Sequence, residues 1–360
     1  MTGDLGAFLL EMPKCELHVH LEGTLEPELR MRIAARNGVP LPHSNVEDMR
    51  ASYSWNDLPS FLNIFYAGSA VLLHEIDFYD LCYEFLKRLS AQNVRYVEMM
   101  IDPQHHLARG VAFESVMAGI TQARADALAS FGIHSGLIVC FMRDRSAESA
   151  LQTLQYAVAH RDKIIGVGLD SDEAGNPPIK FAEVFRQARA AGFRLTAHCD
   201  VDQADTHAHI HQALVDIEVD RIDHGLNVLD REDLVEESLR RGITFTFCPH
   251  AIGRLRPGRR LAPIRQALER GLAVTINSDD PAYMKTGYLM ENLIRTGTEC
   301  EFDRTALVRL SRNAFSGAWL DDGRRRQMLA ELDAFAQRHQ VGDYRGPPRT
   351  AERMQHSSPS

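Results

Sequence analysis

The chain has 360 residues, 44% of them hydrophobic and 25% charged, a balance that suits a folded globular protein and excludes a disordered one. A formal net charge of −9 excludes a general electrostatic attraction to nucleic acid or to an anionic membrane. No apolar run approaches the ~20 residues that span a bilayer, and six cysteines without C-x-x-C pairing predict reduced thiols in a cytoplasmic protein.

The opening MTGDLGAFLLEMPK lacks a basic segment followed by a long apolar core, so it does not read as a secretory signal. The first predicted strand is CELHVH, residues 15–20. Side chains two apart in a strand share a face, so His18 and His20 project together, as a pair of metal ligands would. Alone, the pair reads equally as two hydrogen-bonded structural histidines. Residues 57–92 are predicted wholly helical, an insertion after the first strand whose apolar stripe over 61–87 is core or a lid. Strands follow at 95–101, 134–142, 164–170, 194–200, 221–225, 243–248 and 273–280, with amphipathic helical stretches between them. Several of those stretches stop at a glycine. Residues 305–339 read as one or two closing helices, and the polar, proline-bearing tail 346–360 as disorder beyond a single domain of residues 1–345.

Eight apolar strands alternating with helices predict an α/β protein, specifically a (β/α)8 TIM barrel with a helical insertion after strand one and extra C-terminal helices. No G-x-G-x-x-G follows a strand, which removes the main support for a dinucleotide-dependent oxidoreductase. Polar residues gather at the predicted C-terminal strand ends: His18 and His20 on the first, His198 on the fifth, Asp223 and His224 on the sixth, Asp279 and Asp280 on the eighth. Barrel enzymes build their sites at that end. Three histidines and a carboxylate there suit a divalent ion such as Zn²⁺.

The segments MPKCELHVHLEGTLEPEL, VGLDSDEAGNPPIKF, DRIDHG and VTINSDDPAY, spread over residues 12–315, resemble the adenosine/adenine deaminase family of the amidohydrolase superfamily, and its adenine deaminase branch most. The resemblance implies that His18, His20, His198 and Asp279 hold one zinc per chain. It implies that His224 orients or deprotonates the attacking water, that Asp279 accepts a proton, and that Asp280 hydrogen-bonds the purine N7. His20, Gly168 and Asp170 join Asp280 as expected substrate contacts, with a helix cap as the other reading of Asp170. The implied reaction is hydrolytic release of ammonia from C6 of an adenine-like purine, a small-molecule substrate, with no organic cofactor. Assembly into homo-oligomers stays open.

Two segments depart from the family pattern. Its fifth strand ends His-Ala-Gly-Glu, and that Glu protonates the ring N1; here the sequence is HCDVDQ, with Val201 in the place of the Glu. Asp200 or Asp202 takes over the proton transfer, or the substrate is another aminated heterocycle or nucleotide that needs no such acid, or the chain binds metal and ligand without turnover. After strand seven the family has Cys-Pro-x-Ser-Asn; here it is CPHAIGRLRPGRR, where His250, Arg254 and Arg256 are new polar candidates, for an anionic substrate group or for solvent. Glu22-Gly23 is expected in the loop beside the pocket and Glu173 near the base. His105 and His106 are expected as pocket wall or surface, and His207, His209 and His211 as a solvent-facing set or loop supports.

Overall fold

The computed structural model describes residues 2–199, 204–249, 258–284 and 287–345. Its strands are β1 Lys14–His20, β2 Val94–Ile101, β3 His134–Met142, β4 Gly166–Asp170, β5 Arg194–Cys199, β6 Arg221–His224, β7 Thr244–Phe247 and β8 Ala273–Ile276. Neighbours pair in parallel in the order β1 to β8. A parallel bridge between Val19 and Asp279 links the two ends. There the His20 N–H donates to the Asp279 carbonyl at 2.9 Å, and the Asp279 N–H to the His18 carbonyl at 3.3 Å. Side chains complete the seam: Asn277 Oδ1 accepts the Leu17 N–H at 2.9 Å, and Glu16 Oε1 accepts the Ser278 N–H at 2.8 Å. The chain is a (β/α)8 barrel whose last joint lies beside the expected ligands.

The eighth strand ends at Ile276, short of the expected 280, so Asp279 and Asp280 stand on the loop beyond it. Strands β5 to β8 are not apolar on both faces. Leu195, Ala197, Ile222, Phe245, Val274 and Ile276 join the apolar core, while the alternate positions Thr196, His198, Arg221, Asp223, Thr244, Thr246 and Thr275 are equally buried. The period of two sorts apolar groups from polar ones along each strand.

A helix α1, Thr2–Glu11, precedes β1, and four helices separate β1 from β2: α2 Pro27–Asn37, α3 Val46–Ser52, α4 Leu58–Ser69 and α5 Glu75–Ala91. The expected continuous helix over 57–92 is therefore broken. Asp77 explains the break, since its carboxylate accepts the N–H groups of Leu73 and His74 at 2.9 and 2.8 Å and caps the new helix. Asp57 caps α4 from the N-cap position itself, accepting the Ser60 N–H at 2.9 Å. Helix α2 carried its signals in Pro27 at its first turn and Gly38 in a left-handed C-terminal position. The closing region is two helices, Arg304–Gly317 and Asp322–Arg338. All six cysteines are buried and unpaired with one another. Among the described residues no helix is long and apolar enough to cross a membrane. The tail 346–360 lies outside the described residues.

Candidate active site

At the C-terminal end of the barrel, ligand-type atoms of His18, His198, His224 and Asp279 all lie within 4.8 Å of one another. His20 borders the same group: its Nε2 is 3.2 Å from His198 Nε2 and 3.5 Å from Asp279 Oδ1. His18 Nε2 is 3.2 Å from Asp279 Oδ1. The backbone aims two of these side chains. His224 and Asp279 adopt positive φ values of 61° and 65°, a conformation costly for non-glycine residues that persists where the surroundings enforce it. Ser171, at the end of β4, does the same at 72°.

The electrostatics of this group call for a cation. Burial lowers the pKa of His198 far below its ordinary value, and the neighbouring His18 and His20 lower it further. Burial also lowers His20. Burial opposes protonation of His18, but Asp279 and Asp223 outweigh it and raise that pKa. Asp279 is held low against its burial by His18, His224 and His20. His18 Nε2 is buried and makes no hydrogen bond. A buried carboxylate 3.2 Å from His18 Nε2 and 3.5 Å from His20 Nε2, with His198 and His224 beside them, is the donor set of a divalent metal, and the residues present fit one.

A second group of carboxyls stands beside the first. Asp102, from the end of β2, lies with His20 and Asp170 in a buried cluster. Burial raises both acids; Glu22 raises Asp102 further, and Asp102 does so for Asp170. Tyr66 Oη donates to Asp102 at 2.8 Å. Burial, then the charges of Asp279 and Asp102, raise the pKa of Asp280 well above the ordinary carboxyl value. Gly23 is required next to it, since a Cβ there would fall 2.1 Å from Asp280 Oδ1. Glu22 is turned to the protein: its Oε1 accepts the Asp102 N–H at 3.1 Å and His106 Nε2 at 2.8 Å, while burial lifts its pKa to about 7.

These groups open into a pocket at the C-terminal end of the barrel. Helix α4 supplies one wall, Leu58, Phe61, Leu62, Phe65 and Tyr66; the other side is polar, with His20, Asp102, Asp170, Ser171, Glu173, His198, His224, Asp279 and Asp280. The first half of the 61–87 stripe thus borders the cavity, while Leu81, Phe85 and Leu86 of the second half are core.

Several expected residues fall elsewhere. Gly168 does not line the cavity; the place of its Cβ is 2.7 Å from Cys140 Sγ and 3.2 Å from Thr196 Cγ2, inside the barrel. Asp170 caps no helix, since the next helical turn starts at Pro178, and it faces His20 Nδ1 at 3.6 Å. Of that helix's three histidines, His209 is buried against Glu173 at 3.2 Å, as a loop support is, while His211 is exposed. His105 is half-buried against Tyr66. Asp200, Val201, Asp202, His250, Arg254 and Arg256 lie outside the described residues. Sequence reasoning missed Asp102 and Tyr66. The only signal for Asp102 was an acid closing the apolar run RYVEMMI.

A barrel with this cluster at its catalytic end defines a hydrolase of the amidohydrolase superfamily. The chain belongs to the adenosine deaminase family, whose model matches residues 13–335, and it is accordingly a deaminase that hydrolyses C–N bonds. It is 48% identical over 333 residues to an uncharacterized deaminase of Schizosaccharomyces pombe, covering 92% of this chain and 98% of that one. The crystal structure of adenine deaminase from Arthrobacter aurescens superposes with a TM-score of 0.85 at 38% identity, covering 91% of this chain and 99% of that one. An amidohydrolase from Burkholderia ambifaria with bound Zn superposes with a TM-score of 0.83 at 28% identity, covering 94% and 95%.

Proposed function

We propose that the chain is a zinc-dependent hydrolytic deaminase of adenine or a closely related purine, N6-substituted forms included. The convergence of His18, His20, His198 and Asp279 beside a pocket walled by α4 carries this reading. It is supported by the adenine deaminase and the zinc-bound amidohydrolase among the similar structures. In this reading those four residues hold one zinc ion. When bound, zinc supplies the Lewis acidity that brings the pKa of a water to about 7.

The chain's own residues do the rest. Asp279 accepts a proton from the attacking water. His224 lies within 4.0 Å of Asp279 Oδ2 and steadies the charge that develops at the attacked carbon's oxygen. Asp280, which lines the pocket beside Asp279, hydrogen-bonds the purine N7. Phe61 and Phe65 pack on the apolar ring and exclude water. Asp170 lines the same pocket and faces His20 Nδ1 at 3.6 Å. The proton for ring N1 is assigned to Asp200 or Asp202, because Val201 has no proton to give.

Val201 also favours a second reading, an aminated heterocycle whose ring needs no protonation. Release of ammonia from adenine and adenosine, and of methylamine from N6-methyladenine, by zinc-loaded protein separates the two. Turnover of an aminopurine supports the first. Inertness toward all three, with one zinc confirmed per chain, rejects it.

A further inference from the structure

Beneath the expected ligands lies a buried polar network that the reaction above does not use. Asp223 is its centre. Its Oδ1 accepts the Thr246 hydroxyl at 2.6 Å and its Oδ2 accepts the Thr196 hydroxyl at 2.6 Å. Thr246 Oγ1 is 3.0 Å from His18 Nδ1, and Asp223 Oδ2 is 3.6 Å from His198 Nδ1. A threonine hydroxyl has one proton, and Thr246 gives it to the carboxylate. His18 must therefore donate Nδ1–H to Thr246, which leaves the lone pair on Nε2, the atom facing Asp279.

The carboxylate is held from below. Arg221 Nε stands 3.6 Å from Asp223 Oδ1, while its Nη1 donates to Glu98 Oε2. Glu98 Oε1 takes the Trp319 N–H at 2.5 Å, and the Arg221 guanidinium lies 4.1 Å from the Trp319 ring centre. Thr196, Thr246, Arg221, Asp223 and Glu98 are all fully buried. A buried ion pair of this kind is weak evidence of stability, and a role in holding one geometry explains it better.

We propose that Asp223, braced by Arg221 and acting through Thr246, is a positioning residue that fixes the ring tautomer and orientation of His18 for metal binding. The role rests on the metal reading of the site. It also gives Trp319, on the linker between the closing helices, a place in the support of the metal centre.

The test is zinc affinity, measured by competition with a chromophoric chelator on the full chain. Thr246→Val keeps the shape and removes only the hydroxyl. It should bind zinc about 10–100-fold more weakly, the usual effect of losing such a partner. Thr246→Ser, which restores the hydroxyl, should recover affinity to within about threefold. A purely structural role would not give that recovery. Asp223→Asn should match Thr246→Val and stands in for it should that variant not fold. Wild type binding zinc tightly, with Thr246→Val and Asp223→Asn unchanged, overturns the positioning role and leaves the metal site standing. Wild type binding no zinc overturns the metal reading and this role together.

Discussion

His20 Nε2 and His198 Nε2 face each other at 3.2 Å, although 178 residues separate the two side chains. Burial disfavours protonation of both rings, so in the metal-free chain the Nε2–H of one ring donates to the Nε2 lone pair of the other, whereas a cation shared by the two rings takes both lone pairs. A cation held there adds ligand bonds that only the folded chain assembles. Removing divalent ions with a chelator should therefore lower the melting temperature by about 5 °C, and one equivalent of zinc should restore it, because a ligand that binds only the folded state stabilises it by mass action. Differential scanning calorimetry reads the shift. Identical melting curves with and without chelator contradict it.

The contact between His106 and Glu22 fixes a buried carboxyl behind Asp102. Arg109 Nη2 donates to His106 Nδ1 at 2.7 Å, so His106 Nε2–H donates to Glu22 at 2.8 Å. Burial, then Arg109, lower the His106 pKa to about 3, so the ring is neutral. His106→Leu should cost about 1–3 kcal/mol in urea unfolding, because buried Glu22 loses a donor. His106→Leu combined with Glu22→Gln should cost less than the single change. Equal costs would show that the two side chains are not coupled.

The α4 wall makes a separable prediction. Phe65 lines the cavity, and its ring centre is 6.2 Å from that of His20. Phe65→Ala should raise KM for the purine about 10-fold or more, as lost apolar contact does, and leave zinc content at one per chain. Steady-state kinetics with elemental analysis checks both. A loss of zinc with unchanged KM would place Phe65 in the support of the metal rather than in the ring wall.

Lys14 supplies a pH signature remote from the ligands. Its Nζ donates to the Met12 carbonyl at 2.7 Å and to that of Leu9, and burial, then Arg95, lower its pKa from 10.5 to about 7. The unfolded chain keeps that proton up to the ordinary value, whereas the folded chain releases it near 7. Stability from this group is thus complete above about 10.5 and declines as pH falls toward 7, where the folded amine must charge. Between pH 7 and 9, wild type should gain on Lys14→Met by up to about 1.4 kcal/mol per pH unit. A difference that is flat with pH contradicts the shift.

The sequence made the barrel legible because apolar side chains recur on the outward faces of the strands, and β1 carried its two histidines in plain alternation. The four helices after β1 were less legible. Buried Arg30 breaks the apolar stripe of α2, and Asp77 reads as an ordinary helix residue until its carboxylate is seen capping Leu73 and His74. Thr196 and Thr246 look like strand formers, and Asp102 like a loop acid. Their roles exist only once distant strands lie side by side, which local pattern cannot report.

The most direct test titrates zinc into metal-free chain while ammonia release from adenine is followed. Activity that rises in proportion to zinc and levels off at one equivalent per chain is the predicted result. Turnover that persists unchanged after complete removal of divalent ions, or no product from adenine, adenosine or N6-methyladenine at one bound equivalent, contradicts it.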